Sequence, residues 1–489
     1  MNIEVHTKAA AWHERIYVGG SWEAGAGGVV DVREPATGDA IATVGMAGPA
    51  DVDVAVAAAV KAQVAWAETP ATERARVLRT AGTLLEERKE EFIEWLVRES
   101  GSTRFKAGFE VASLAELYEA AALPTQPEGM VLPSGSAVRM SFARRVPVGV
   151  VGVITPWNFP LAMALRAAAP ALALGNAVVL KPDPKTPVSG GMLLVGLFEE
   201  AGLPPGLFSV LPGGGDVGEA LVGHPDVGMI SFTGSTAVGR AIGRTAGGML
   251  KKVSLELGGN NALIVLEDAD LDKASAAGAF GSFFHQGQVC IASGRHFVHR
   301  KIADQYIERL AARANNIVVG DPFRQDVGIG PIISAPQLAK IDRLVQESVG
   351  AGASLAAGGT HDGPFYRPTV LAGVTSGMSA FTNEIFGPVA PVTVFDDEDE
   401  AVALANDTEY GLSAAVISRS PMRALAVGRR LKSGMVHIND QTAIYEVHAP
   451  FGGVKSSGNG ARHGSLTNHE EYTVLQWVTI NDEPPAYPF

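Results

Sequence analysis

The sequence predicts an α/β protein of two or three domains, organised around a doubly wound parallel sheet with helices on both faces. Three observations carry that expectation. A chain of 489 residues is longer than one compact core usually organises, and its 46% hydrophobic content supplies apolar residues for more than one. From Val148 onward, short apolar runs alternate with helical patterns, the rhythm of strands joined by crossover helices. Outside that rhythm stands an alternating segment, Val138 to Val146, that reads as an isolated β element.

In chain order, the part up to about Ala122 reads as helical. One helix is expected over Asp51 to Trp66, with Asp51 as N-cap. A second is expected over Thr72 to Ser100, carrying Val77, Leu78, Leu84, Leu85, Phe92 and Leu96 on its apolar positions and ending at Gly101. The polar, Pro-containing stretch Pro124 to Ser136 leads into the Val138–Val146 segment, which is either an oligomerisation arm or a hairpin on the same subunit. Strands are then expected at Val148–Ile154, Ala177–Leu180, Leu207–Val210, Met229–Phe232, Lys252–Leu255 and Ala262–Val265, with helices such as Leu161–Leu174 and Val188–Ala201 between them. A second α/β stretch runs to about residue 455, and Thr473 to Ile480 returns to strand-like sequence. There is no internal repeat.

Charge and composition narrow the function. A formal net charge of -13, without a run of Lys and Arg, argues against a nucleic-acid partner. One cysteine can form neither an intramolecular disulfide nor a Cys-rich zinc site, and no metal is expected. The opening MNIEVHTKAAAWHER is too charged for a secretory segment. The best apolar run, Ala167 to Leu180, is short of a membrane span and is broken by Pro170, Gly175 and Asn176. A cytoplasmic protein without nucleic-acid or membrane partners is expected.

Several motifs carry chemistry. Gly213, Gly215 and Gly218 form a G-x-G-x-x-G between an expected strand and a short helix, although a plain turn has the same look and no acidic residue follows about 20 positions on. One strand later, Phe232-Thr233-Gly234-Ser235-Thr236-Ala237-Val238-Gly239 joins strand to helix. Ser235 can cap that helix, and the free N–H groups can hold a pyrophosphate, or the turn is simply a capped one. The lone Cys290 would ordinarily be an inert core thiol, but Gly287-Gln288-Val289-Cys290 is a polar loop. His285 nearby raises a Cys–His hydrolase as an alternative, though no orienting partner for the imidazole is evident. Glu256 ends a strand where α/β sheets build sites, and Asn158, in Thr155-Pro156-Trp157-Asn158-Phe159-Pro160, can donate hydrogen bonds to a developing oxyanion.

Together the pieces resemble the NAD(P)-dependent aldehyde dehydrogenase superfamily, from about Tyr17 to the C-terminus. The motifs carrying the resemblance are Pro156-Trp157-Asn158-Phe159-Pro160, Leu180-Lys181-Pro182, Phe232-Thr233-Gly234-Ser235-Thr236, Leu255-Glu256-Leu257-Gly258-Gly259-Asn260, Gly287-Gln288-Val289-Cys290, Glu384-Ile385-Phe386-Gly387-Pro388 and Pro450-Phe451-Gly452-Gly453. The resemblance implies Cys290 as nucleophile, Glu256 as general base and Asn158 as oxyanion donor. It implies Lys181 at the adenosine ribose, Glu384 at the nicotinamide ribose and the Gly234–Gly239 turn, with Ser235, at the pyrophosphate. Ile154, Trp157 and Phe386 complete the implied cofactor contacts. The implied fold is a Rossmann-type cofactor domain (1–122 and 148–256), an α/β catalytic domain (257–455) and a small β oligomerisation arm with the C-terminal strand (123–147 and 456–489). The implied assembly is a homodimer or homotetramer.

Two departures narrow the branch. Asp183-Pro184 follows Lys181-Pro182 where many NAD-preferring members carry a Glu, so NAD is expected with NADP tolerated. His285-Gln286-Gly287-Gln288 and Ile438-Asn439-Asp440-Gln441-Thr442 resemble the benzaldehyde, salicylaldehyde and vanillin dehydrogenases, which implies an aromatic aldehyde. If a helix starts at Pro160, Phe159, Ala162, Met163 and Arg166 share a face and, with Tyr445, line the substrate mouth; otherwise Met163 is core and Arg166 pairs with an acid. A CoA-acylating or aliphatic-aldehyde enzyme, or a non-catalytic homologue, are the competing expectations; Glu256 favours water as the acyl acceptor.

Overall fold

The computed structural model of the chain describes residues 10–126, 129–464 and 467–489, so the first nine residues of the charged N-terminus lie outside the described residues. Two seven-stranded sheets dominate. The first runs in the spatial order Lys252–Glu256, Val227–Thr233, Val150–Ile154, Ala177–Lys181, Phe208–Val210, Ile16–Val18, Ser21–Glu23. Its first five strands are mutually parallel, and the last two pairings, through Ile16–Val18, are antiparallel. Val-Val-Gly-Val-Ile and Ala-Val-Val-Leu-Lys are buried along their whole length, as strands covered on both faces must be.

Chain order reverses within this sheet. From Val150–Ile154 the chain moves outward on one side to Ala177–Lys181 and Phe208–Val210, then returns to place Val227–Thr233 against the other side of Val150–Ile154. The crossover helices leave the C-terminal ends of these two adjacent strands in opposite directions and open a crevice there, where doubly wound sheets bind ligands.

The second sheet runs Ser354–Ala357, Thr369–Ala372, Val389–Phe395, Arg295–His299, Ala262–Val265, Ser413–Ile417, Met435–Ile438, antiparallel only at its first pair. Each sheet has its own core. One cluster spans Trp12 to Leu257 and takes in Tyr472, and two others cover the second sheet. A small fourth cluster of Phe284, Val289, Ile291, Leu412, Ala443 and Phe451 holds Phe159, Cys290 and Tyr445 at its edge. The arm is a third sheet, in which Arg139–Pro147 pairs antiparallel with Thr473–Asn481 along nine residues and with Gly129–Val131 on its other edge.

Three local expectations are corrected. Residues 10–45 are not helical: Ile16–Val18, Ser21–Glu23, Val29–Arg33 and Ala40–Gly45 are strands, and Tyr17 extends the first sheet by pairing with Val210. The first helix spans Pro49–Ala67 with Gly48 as N-cap; Asp51 sits three residues in and accepts from the Gly48 N–H at 2.8 Å, the return half of a capping box. The long helix is two, Ala71–Glu87 and Lys89–Ser100, broken at Arg88, whereas Gly101 does end the second in the left-handed region at φ 67°.

Candidate active site

Two loops follow the strands that flank the crevice. After Val150–Ile154 come Thr155 to Phe159, and the Thr155 N–H donates to the Lys181 carbonyl at 3.2 Å. After Val227–Thr233 come Gly234 and Ser235, with the Gly234 N–H donating to the Glu256 carbonyl at 3.0 Å. Ser235 caps the helix Thr236–Gly248, accepting from the Val238 N–H. Gly239 lets this helix sit down on the next strand's end: a Cβ there would lie 2.3 Å from Leu257 Cδ2.

The loop of Cys290 is built differently. After the helix Leu271–Phe283, the backbone turns through left-handed conformations at His285, Gln286 and Gly287, with φ values of 50°, 56° and 65°. Such angles are unfavourable outside glycine and persist only when the surroundings dictate them. Here Gln286 Nε2 donates to the carbonyls of Gly101 (2.9 Å) and Pro331 (3.0 Å), Gln288 Oε1 accepts from the Ile333 N–H (3.0 Å), and Asn158 Nδ2 donates to the Gln288 carbonyl (2.8 Å). Beyond the turn, Asn261 Nδ2 holds the carbonyls of Cys290 (2.9 Å) and Ala292 (2.7 Å). The backbone is pinned on both sides while the half-buried thiol is left to the cavity.

That cavity, of about 330 Å³, brings together Cys290, Glu256 and Asn158. Its wall also takes in Phe159, Met163, Arg166 and Tyr445, the expected substrate face, with the helix starting at Pro160. The Trp157, Gly234, Ser235, Glu384 and Phe386 side of the expected cofactor set lines the same cavity, with the Trp157 and Phe386 rings in an edge contact at 5.6 Å. Ile154, Lys181 and Gly239 do not line it. Ile154 and Lys181 are register partners at the C-terminal ends of neighbouring strands, and Gly239 packs beneath Leu257. The Gly213 motif belongs with Lys181: a Cβ on Gly218 would touch the lysine stem at 3.7 Å.

Burial dominates the electrostatics. It pushes the Cys290 thiol up to about 12 and Glu256 up to about 8, in both cases opposed first by the Arg166 guanidinium. Neither Glu256 carboxylate oxygen has a protein hydrogen-bond partner among the described residues, and neither does Arg166 Nη1. Arg166 makes no direct ion pair among the described residues: its Nη2 donates to Thr233 Oγ1 at 3.3 Å and its guanidinium lies 4.7 Å above the Phe451 ring. Glu384 is raised to about 7 by burial while accepting from the Gly259 N–H at 3.0 Å. His285 is held well below its usual range by burial and by Lys106, its ring packs edge-on to Phe159, and it does not bond the thiol. With neither ring nitrogen bonded to the thiol, His285 and Cys290 do not form a Cys–His pair.

Sequence reading gave no role to Phe109, Ser113, Phe284 and Lys340, which also line the cavity, and used Phe451 only as part of a motif. With Trp157, Phe386 and Tyr445, the rings of Phe109, Phe159, Phe284 and Phe451 make seven aromatic side chains on the wall. The donor set suits a nicotinamide dinucleotide. A helix N-terminus at Ser235 faces the cavity to receive a pyrophosphate, a buried carboxyl at Glu384 can take ribose hydroxyls, and Lys181 stands near the adjoining strand ends.

Residues 22–478 match the model of the Aldehyde dehydrogenase family. The chain is 55% identical to a vanillin dehydrogenase of an Amycolatopsis species over 98% of both chains. It is 50% identical to a benzaldehyde dehydrogenase [NAD(+)] of Pseudomonas putida, again over 98% of both. Among solved structures, betaine aldehyde dehydrogenase from Staphylococcus aureus in complex with NAD+ superposes with a TM-score of 0.94 at 33% identity, covering 97% of this chain and 96% of that one.

Proposed function

This chain belongs to the aldehyde dehydrogenase family, and from that premise we propose that it oxidises an aromatic aldehyde to the carboxylic acid with NAD+, using Cys290, Glu256 and Asn158. The observation carrying this reading is the meeting of those three side chains in one aromatic-walled cavity that also opens onto Ser235 and Glu384. The thiol of Cys290 loses its proton and its sulfur adds to the carbonyl carbon, giving a thiohemiacetal oxyanion. The free amide N–H of Asn158 and the Cys290 backbone N–H stabilise that oxyanion, each donor of this kind contributing about 3 kcal/mol. Bound NAD+ supplies the hydride acceptor, and Cys290 is left as a thioester. Glu256 takes a proton from water, hydroxide adds to the acyl carbon, and the thiolate leaves. The sum is aldehyde, NAD+ and water to carboxylate, NADH and two protons.

Burial keeps the resting thiol neutral, so deprotonation must accompany attack, and Glu256 is the base at hand. Arg166, buried and short of a partner, favours the charged form of both groups. We assign Lys181, Gly234, Ser235, Gly239, Glu384, Trp157, Phe386 and Ile154 to the cofactor, and Phe159, Met163, Arg166 and Tyr445 to the substrate. Asp183, beside Lys181, disfavours a 2′-phosphate, so NAD is preferred over NADP. Residues 1–122 and 148–256 form the cofactor domain, 257–455 the catalytic domain, and 123–147 with 456–489 the arm. Among the described residues no helix is long and apolar enough to cross a membrane. A thiol that must stay reduced fits a cytoplasmic location.

The arm supports a homodimer or homotetramer. Its apolar side chains Val131 (84% exposed) and Trp477 (69%) present more greasy surface than a lone subunit needs. The central test is an aldehyde panel with NAD and NADP, following reduced-cofactor absorbance and product. Substituted benzaldehydes should be converted to free acid with NAD in the absence of CoA. A strict need for CoA, or faster turnover of aliphatic aldehydes, would overturn the reading.

A further inference from the structure

We infer that the buried Lys106–Glu110 pair is a positioning device for the oxyanion donor Asn158, an inference that rests on the role proposed for that amide. Lys106 and Glu110 lie one turn apart on the short helix Arg104–Val111, and both side chains are wholly enclosed. Lys106 Nζ donates to Glu110 Oε2 and, at 2.7 Å, to the backbone carbonyl of Asn158. The same ammonium lies 4.2 Å over the Phe159 ring. Glu110 Oε1 accepts from the N–H groups of Leu161 (2.9 Å) and Ala162 (3.2 Å), the first turn of helix Pro160–Ala173.

That first turn has no cap of its own. Its N-cap is Phe159, which carries no side-chain acceptor and sits at φ -134°, ψ 64°. A carboxylate from another helix supplies the missing acceptor. The pair therefore binds the chain on both sides of the Asn158–Phe159 peptide. The bond to the Asn158 carbonyl fixes the torsion between its Cα and its carbonyl carbon, and the bonds to the first helical turn fix the backbone from Pro160 onward. The Asn158 side chain is held at its far end by the Gln288 carbonyl on the Cys290 loop. With both ends set, the second amide N–H points in one direction only.

A buried ion pair is seldom the most stabilising way to fill such a volume, since apolar side chains of similar size commonly do as well. Its presence beneath the donor calls for a geometric reason, and small displacements of an aligned group can cost about a hundredfold in rate. Glu110 also borders the cavity, yet neither it nor Lys106 needs to touch substrate in this role. They act through Asn158.

A double-mutant cycle separates this from a purely structural role. K106M/E110Q, which removes both charges together, should lower kcat by about tenfold to a hundredfold while KM for aldehyde and affinity for NAD stay within about threefold. Placed on an N158A background, the same pair of substitutions should change kcat by less than about threefold. Equal losses in both backgrounds, or an unchanged kcat in the parent, would overturn the positioning role. If N158A alone left kcat unchanged, the assignment of Asn158 would be the one to fail. Should K106M/E110Q melt below the assay temperature, E110Q alone keeps an amide oxygen for Leu161 and Ala162, and the same cycle applies.

Discussion

Two buried groups of charge border the loop of Asn158, and they are finished in opposite ways. In the Lys106–Glu110 pair the ammonium is shared between a carboxylate and a carbonyl, and the second carboxylate oxygen takes two backbone N–H groups. In the neighbouring set, Arg166 keeps one nitrogen and Glu256 two oxygens with no hydrogen-bond partner among the described residues, and both side chains line the cavity. Buried polar atoms are normally satisfied, so the first group reads as scaffold and the second as a place prepared for atoms the protein does not itself supply. The contrast locates chemistry by what the fold leaves undone.

The largest expected effect tests the unfinished group at its centre. Cys290→Ala should lower turnover by at least about 10⁴-fold while NAD binding and melting temperature are kept, because the thiol does no structural work; steady-state assays with a binding titration check it, and surviving activity would move the nucleophile elsewhere. Next, Asn158→Ala should lower kcat by about 10²- to 10³-fold, more than any change at Lys106 or Glu110, since it deletes the donor rather than disturbing it. Smaller still is the effect of pH. Glu256, pushed up to about 8, is protonated below that value and free to accept a proton above it, so the rate should climb about tenfold per pH unit below 8 and level off beyond. A pH–rate profile that Glu256→Gln leaves unchanged in shape would assign the limb to another group. The smallest effect belongs to neither group: Val131→Lys on the arm should shift the sedimentation of the assembly toward smaller species with kcat within about twofold of the parent.

The two groups also differ in how far sequence exposed them. Cys290, Glu256 and Asn158 were legible because each sits in a motif at a strand end or loop, where side-chain type and position speak for themselves. The same logic found the five parallel strands of the first sheet to within a few residues, since they are mostly apolar runs. Lys106 and Glu110 were not legible, because Lys and Glu four apart on a helix usually mark a solvated face, and only packing against Asn158 and Phe159 reveals the opposite. Of the first strands, Ile16-Tyr17-Val18 escaped for a related reason: a three-residue piece becomes part of the sheet by pairing with a residue almost two hundred positions away. The left-handed turn at His285 and Gln286 carries no local signal, since those residues rarely adopt it and are held there by Gly101 and Pro331.

The C-terminal segment bears on how the protein is made. Tyr472 is fully buried in the core of the first sheet, and its carbonyl accepts from Asn176 Nδ2 at 3.0 Å. Lys252, at the edge of that sheet, donates to the Thr473 carbonyl at 3.0 Å. The core built from Trp12 to Leu257 is thus completed by a residue more than two hundred positions further along the chain. During synthesis the first core has to wait, partly open, while more than two hundred further residues are added, and it is filled only when Tyr472 has emerged.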